Sequence, residues 1–266
     1  MFSEKLSIAE KFKVLQEIGY DGVELNSPGG VNKDEDLAAS RENGFPINGV
    51  VDSIHWGTRL SSPDKATRAK GLEGLKTAIR DTSKVGGSAV LLVPGAVRDA
   101  NNENHQQVWD RSIELIMKAL PLAASRGIHI LIENVWNGFL YAPKGDDNQS
   151  ADKLVEYLDE INSPWVGSYF DIGNHQRFGK PAQWIRQQLH DGSLRPPHSI
   201  KGIVGAEMAQ KDQHSLPARL AGLDEQNAFK IRGFSAAWPS GKETANEKTK
   251  MSKRCVMKEA ARLERI

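Results

Sequence analysis

Four acidic or imidazole residues stand where short apolar stretches of the sequence end. Glu24, His55, Glu133 and Asp171 each close such a stretch or follow it by one residue. Glu133 and Asp171 come directly after apolar runs, where an ionised carboxylate is costly to bury without a partner. Carboxylate oxygens and imidazole nitrogens are suitable ligands for Mg, Mn, Co or Zn. The sequence therefore predicts a divalent-metal site that includes Glu133 and Asp171.

Ordinary structural roles remain open for these residues. A single carboxylate at a strand end, such as Glu24, can equally form an ion pair or cap a helix. His55 can equally be a packed imidazole. Trp56 and Trp136 also follow strand ends, and an indole ring there can stack on the apolar face of a sugar. The other central tryptophans, Trp109, Trp165 and Trp184, are expected to serve packing alone.

Strand and helix signals alternate over the first two thirds of the chain. Short apolar, β-branched stretches predict strands over residues 21–25, 47–54, 89–93, 128–133 and 166–171. Helical periodicity predicts helices over 63–85, 103–126, 151–161 and 181–189, and an initial helix capped by Ser7. Ser62 is the expected cap of the helix at 63–85. This alternation is typical of βαβ units and a parallel sheet.

The fold class predicted is an α/β barrel of the TIM (β/α)8 type, in a single domain over residues 1–266. In such a barrel the catalytic groups lie at the carboxyl ends of several strands. From residue 190 the pattern becomes irregular, with weak strands at 200–204 and 233–238. Seven strands are thus expected where a closed barrel has eight, and the missing one is the first.

Composition restricts the classes of partner. The 266 residues carry a net charge of +1, which gives no electrostatic reason to expect nucleic acid or an anionic membrane. No apolar run approaches the ~20 residues of a membrane span, and the first residues lack the apolar core of a signal peptide. The single cysteine, Cys255, excludes an internal disulfide framework and fits a reducing compartment. A cytoplasmic location is expected.

Three phrases of the sequence resemble the xylose isomerase-like barrel family. They are Gly19-Tyr20-Asp21-Gly22-Val23-Glu24-Leu25, Ile132-Glu133-Asn134-Val135-Trp136-Asn137 and Tyr169-Phe170-Asp171-Ile172-Gly173-Asn174. The segment Pro181-Ala182-Gln183-Trp184-Ile185 accompanies them. The similarity covers about residues 3–189, so that 1–189 is family-like and 190–266 divergent. The most similar branch holds sugar phosphate isomerases and epimerases, near the tagatose/psicose 3-epimerases and the hydroxypyruvate isomerases.

The resemblance implies a ligand set for one divalent metal. In the family a Glu, an Asp, a His and a second Glu hold the metal, and the first three map onto Glu133, Asp171 and His198. The second Glu, which is also a catalytic base, has no equivalent in the comparable phrase at 235–241. Glu207 and Glu243 are candidate substitutes that no pattern supports.

The resemblance also implies a reaction. The metal would polarise the carbonyl of a ketose, Glu133 would remove the neighbouring proton, and an enediolate would follow. Return of the proton to the same carbon with inversion gives an epimer, and return to its neighbour gives an isomer. The sugar hydroxyls or a phosphate would be oriented by Glu24, His55, Trp56, Trp136, Asn137 and Arg177.

Three functions follow in order of preference. The first is a metal-dependent isomerase or epimerase acting on a small-molecule sugar or sugar phosphate. The second is a degenerate barrel that binds a sugar or metal without turnover. The third is an abasic-site endonuclease, which shares the barrel but needs many histidines and a basic face. Whether the chain forms a homo-oligomer stays open.

Overall fold

A computed structural model describes residues 6–17, 19–135, 137–140 and 149–171, and the main chain alone of Gly202–Val204. Strands and helices alternate along this part of the chain. Their order is α1 (Ile8–Glu17), β1 (Val23–Ser27), α2 (Lys33–Asn43), β2 (Ile47–Asp52), α3 (Lys65–Val85), β3 (Ala89–Leu92), α4 (His105–Arg126), β4 (His129–Glu133), α5 (Asp152–Ile161), β5 (Val166–Asp171) and β6 (Gly202–Val204).

The strands form one sheet in which each is hydrogen-bonded to the next in chain order. All five pairings within the described residues are parallel. A parallel sheet joined by helices is the expected product of βαβ units. The predicted fold class is thus confirmed at the level of topology.

The two faces of the sheet have different neighbours, because successive side chains of a strand point to opposite sides. On the outer face, Val90 and Leu92 of β3 share one large core with Leu75 and Ile79 of α3. On the inner face a smaller cluster joins β3, β4 and β5, and its buried members are Ala89, Leu91, Leu131 and Tyr169. The helices therefore cover one face, and the strands enclose the other.

One hydrogen bond shows that the sheet is strongly curved. The hydroxyl of Tyr169 in β5 donates to Oε2 of Glu24 in β1 at 2.6 Å. Four strand spacings separate β1 from β5, which is roughly 19 Å in a flat sheet. Side chains that far apart on one face of a flat sheet do not meet. The strands must therefore curl around their inner face, as the wall of a barrel does.

Helix ends follow simple capping chemistry. Ser7 precedes α1 and accepts a hydrogen bond from the Glu10 N–H at 3.2 Å, which confirms it as the N-cap. Gly86 and Gly127 end α3 and α4 with φ of 80° and 65°. These left-handed conformations suit glycine and allow short turns into the next strand. The predicted cap Ser62 is wrong, since Asp64 caps α3 by accepting the N–H of Thr67 at 2.6 Å.

Helix α2, between β1 and β2, is absent from the helices predicted from the sequence. Its eleven residues, KDEDLAASREN, are mostly polar and lack a clear apolar stripe. Other signals do mark it. Asn32 caps its start by accepting the N–H of Asp34 at 3.0 Å, three acidic residues occupy its first turn, and Gly44 follows its end. Capping and charge at the helix ends therefore identify α2 better than periodicity does.

The first two strands differ from the predicted ranges, and this changes the placement of two site residues. Pairing begins at Val23, so β1 is shifted by two residues and Glu24 is its second residue. β2 ends at Asp52, because the carboxylate of Asp52 accepts the N–H of Ile54 at 3.4 Å and turns the chain. The prediction that Glu24 and His55 stand at or next to strand ends is therefore wrong.

The described part of the chain contains no helix both long and apolar enough to cross a bilayer.

Asp52 makes the stability of this fold depend on pH. Its side chain is 1% exposed, and burial raises its pKa to about 7, against a smaller lowering by the Ile54 N–H. The folded chain therefore keeps a proton that the unfolded chain loses near pH 4. By linkage, the free energy of unfolding falls as pH rises from about 4 to about 7, by up to about 1.4 kcal/mol per pH unit.

Asp52→Asn removes this titration and keeps an oxygen acceptor for Ile54. We expect the variant to gain stability relative to the wild type as pH rises from 5 to 8. Urea unfolding at several pH values measures the difference. Asp110→Asn, at an exposed position of α4, is the control and should leave the pH profile unchanged. If the free energy of unfolding of Asp52→Asn and of the wild type changed with pH in the same way, Asp52 would not be the group responsible.

Candidate functional site

Glu133 and Asp171 occupy equivalent places on neighbouring strands. Glu133 is the last residue of β4 and Asp171 the last residue of β5, as predicted. Glu133 pairs with Tyr169, so Asp171 stands two residues further along the adjacent strand. Glu133 and Leu131 lie on the same side of β4, and Asp171 and Tyr169 on the same side of β5. Both carboxylates therefore belong to the inner face, at the carboxyl end of the sheet.

The carboxylates on this face act on one another electrostatically. Burial, together with the negative charges of Asp171 and Glu24, raises the pKa of Glu133 to about 8. Like charges this close disfavour the ionised form of each. Either a proton or a cation relieves that repulsion. The inner face thus has the acidic character expected of a site for a hard divalent metal.

Glu24 reaches this group from the opposite side of the curved sheet. Burial raises its pKa, and the hydrogen bond from Tyr169 lowers it. Burial and the neighbouring acids also raise the pKa of Tyr169, so its hydroxyl keeps the proton that it donates to Glu24. Tyr169 was missed in the sequence. The sequence does contain one indication of its position. Tyr169 precedes Asp171 by two residues in the same strand, so both side chains lie on the same face of the sheet.

Asn134 is a second residue whose role the sequence did not predict. Its side chain is fully buried, directly after β4. Its Nδ2 donates to the main-chain carbonyl of Asp171 at 2.9 Å, and its Oδ1 accepts the N–H of Asp171 at 2.5 Å. One amide therefore holds both main-chain polar groups of a residue on the next strand.

His55 and Trp56 lie in the turn after β2. His55 is 4% exposed, and its Nδ1 accepts the N–H of Val93 at 3.3 Å. Burial lowers its pKa to about 4, so the ring is neutral at physiological pH. Trp56 is 45% exposed, and its carbonyl accepts a hydrogen bond from Arg98 at 2.6 Å. His55 thus ties two loops together, and Trp56 presents an indole ring to the surface.

Asn137 joins the loop after β4 to the loop after β3. Its Nδ2 donates to the carbonyl of Gly95 at 2.7 Å, and its Oδ1 accepts the N–H of Phe139 at 3.0 Å. Arg59 and Glu103 form an ion pair at 3.0 Å between the loops after β2 and β3, with both side chains largely buried. These bonds connect three consecutive loops at the carboxyl edge of the sheet.

Several predicted site residues lie outside the described residues. These are Trp136, Arg177 and His198, together with the candidate substitutes Glu207 and Glu243. Within the described ranges, no three His, Cys, Asp or Glu side chains are grouped as a complete metal site. Glu133 and Asp171 would supply two oxygen ligands, so any further ligand would be a water, a substrate or a residue of the remaining chain.

Comparison with known proteins identifies the family. A sequence model described as "Xylose isomerase-like TIM barrel" matches residues 12–218. The chain belongs to this family. The resemblance seen in the Glu133 and Asp171 phrases is confirmed, and so is the TIM barrel fold indicated by the parallel sheet.

Among curated proteins, the chain is 27% identical to the L-ribulose-5-phosphate 3-epimerase UlaE of Escherichia coli strain SMS-3-5. The match covers 62% of this chain and 58% of that relative. The Escherichia fergusonii enzyme of the same name matches to the same extent. The chain therefore spans less than two thirds of the length of these relatives.

Solved structures show the same fold. An L-ribulose 3-epimerase superposes with a TM-score of 0.62 at 16% identity, covering 98% of this chain and 93% of that one. The 3-keto-D-glucoside 4-epimerase YcjR of E. coli gives 0.59 at 19% identity, with 83% and 84% covered. D-allulose 3-epimerase from Methylomonas sp. with D-allulose gives 0.58 at 18% identity, with 80% and 73% covered.

Tyr169→Phe tests the bond between the two sides of the barrel wall. The change removes the donor to Glu24 and leaves a buried carboxyl with one fewer partner. We expect the free energy of unfolding to fall by about 1–3 kcal/mol, the cost of leaving a buried polar group without its hydrogen-bond partner. Denaturant unfolding measures the loss.

The matched control is Tyr157→Phe, which removes a buried hydroxyl that donates to Ser112 at 2.8 Å, a neutral pair. Tyr157→Phe should lower the free energy of unfolding by less than Tyr169→Phe does. Glu24→Gln, which keeps an acceptor for Tyr169, should also lower it by less. Equal stability of Tyr169→Phe and the wild type would show that the bond between β1 and β5 contributes nothing.

Proposed function

We propose that the chain is a divalent-metal-dependent isomerase or epimerase that moves a proton on a ketose or ketose phosphate. The observation that carries the proposal is the placement of Glu133 and Asp171. Two neighbouring strands of a TIM barrel end in carboxylates on the inner face, and the charge of Asp171 raises the pKa of Glu133. Catalytic groups of this fold lie at that end of the strands.

Glu133 and Asp171 would hold the metal, with His198 as the third protein ligand that the family resemblance implies. Carboxylates with an imidazole suit Mn, Mg, Co or Zn. A bound divalent cation supplies Lewis acidity toward a carbonyl oxygen, which makes the neighbouring C–H more acidic. The negative charges of Asp171 and Glu24 near Glu133 support the proposal that a cation binds there.

Glu133 would also act on the substrate as a base. Its carboxylate would take the proton from the carbon beside the carbonyl, and the ketose would become an enediolate. Return of the proton to the opposite side of that carbon gives the epimer, and return to the adjacent carbon gives the isomer. The curved sheet holds Glu133 in a partly buried position on the inner face.

The other polar groups around the barrel mouth would bind the sugar. Glu24, held by Tyr169, is a hydrogen-bond partner for hydroxyl groups on the inner face. Trp56 offers an exposed ring against which an apolar sugar face can pack. His55 and Asn137 hold the loops around it, and Trp136 and Arg177 complete the predicted set. The similarity to an L-ribulose-5-phosphate 3-epimerase, an L-ribulose 3-epimerase and a D-allulose 3-epimerase supports this substrate class.

Glu133→Gln tests the metal site. The change removes a charged ligand and keeps the side-chain shape. Loss of a residue that only supports a ligand lowers metal affinity about 10- to 100-fold. Because Glu133 would itself be a ligand, we expect Mn²⁺ affinity to fall by more than that. Isothermal titration calorimetry of the metal-free protein measures it. Glu114→Gln is the control, since Glu114 lies on α4 and pairs with Lys118 at the surface. Equal Mn²⁺ affinity in Glu133→Gln and the wild type would refute the site.

A panel of ketoses and ketose phosphates, incubated with the Mn²⁺-loaded protein in deuterated water, tests the chemistry. Deuterium incorporation beside the carbonyl is expected for at least one substrate, because the proton that is returned exchanges with solvent. Glu133→Gln should abolish this incorporation. A protein that binds Mn²⁺ but exchanges no proton on any of them would be a binding barrel rather than an enzyme.

A further inference from the structure

The side chain of Asn134 occupies an unusual position between β4 and β5. It is fully buried, and both ends of its amide are used on one residue. The Asp171 N–H donates to Oδ1 at 2.5 Å, and Nδ2 donates to the Asp171 carbonyl at 2.9 Å. The partner groups belong to the main chain, so the carboxylate of Asp171 is not consumed by these two bonds.

The amide continues the sheet beyond the point where main-chain pairing of β4 stops. The last register pair of the two strands is Glu133 with Tyr169. On its other side Asp171 pairs with Val204 of β6. Asp171 is thus held from one side by main chain and from the other by the Asn134 side chain. Without that side chain, the last residue of β5 would lose these two hydrogen bonds to the residue that follows β4.

We propose that Asn134 is a positioning residue that sets the separation of Glu133 and Asp171 for a divalent cation. The inference rests on the proposed metal site and adds a residue to it that does not touch the cation. Glu133 is the immediate chain neighbour of Asn134, and Asp171 is its hydrogen-bond partner. A shift of this one amide therefore changes the relative position of both carboxylates.

The chemistry of the side chain explains why asparagine is suited to this position. A carboxamide offers a donor and an acceptor at neighbouring atoms, which matches the N–H and the carbonyl of one peptide residue. Aspartate has the same size but, when ionised, no donor, and it would add negative charge beside Glu133. Alanine would leave both main-chain groups of Asp171 without this partner at a buried place, which is costly.

Asn134→Ala is the principal test, with Mn²⁺ affinity measured by electron paramagnetic resonance on protein shown to be folded by circular dichroism. We expect affinity to fall about 10- to 100-fold, as when residues that support metal ligands are removed. In the metal-free protein, hydrogen exchange of the segment containing the Asp171 amide should become faster. This second measurement needs neither metal nor activity.

Asn104→Ala is the matched control. Asn104 caps α4 by accepting the N–H of Gln107 at 2.9 Å, so its loss destabilises the fold at a helix end rather than at the strand ends. It should lower the thermal midpoint and leave Mn²⁺ affinity unchanged. If Asn134→Ala fails to fold, Asn134→Asp replaces it. The positioning role predicts weaker Mn²⁺ binding in that variant despite the added negative charge.

The outcomes separate this inference from the proposed function. A wild type that binds no Mn²⁺ overturns both. A wild type that binds Mn²⁺ and loses it on Glu133→Gln, while Asn134→Ala or Asn134→Asp binds as well as the wild type, overturns the role of Asn134 alone. Weaker binding together with faster exchange at Asp171, and neither change in Asn104→Ala, supports it.

Discussion

The hydrogen bond between Tyr169 and Glu24 is the contact on which the arrangement of the inner face depends. It joins the first and fifth strands of the described sheet, which only a curved sheet can bring together. Curvature in turn places every second side chain of each strand in a common interior. Glu133 and Asp171 share that interior, so the fold gathers acidic residues that lie far apart in the sequence.

Burying several carboxylates in this interior lowers the stability of the fold. Burial raises the pKa of Glu133 and of Glu24, and the charges of the group add to the effect on Glu133. Most barrels fill this volume with apolar side chains, as Leu91 and Leu131 do one layer below. Carboxylates at the carboxyl end instead reduce stability, and in the proposed metal site a bound cation would offset that cost. Such a cost at one place is typical of functional sites.

The sequence predicted the later units well because their signals are local. The apolar run before Asp171 gave the bounds of β5 correctly, and glycines marked the ends of α3 and α4. The helix α2 was missed because polar residues dominate it. Tyr169 and Asn134 were missed for another reason. Their roles arise from contacts with residues 145 and 37 positions away, and no local pattern reports contacts of that kind.

Both ends of the Asn134 amide bond to the main chain of residue 171. The two bonds would therefore form with almost any residue there, proline excepted, because every other residue offers the same N–H and carbonyl. The Asn134 amide therefore fixes the position of residue 171 at the carboxyl end of the sheet and does not select its side chain. During divergence of such proteins, the chemical group at that location can change in a single step while its support persists.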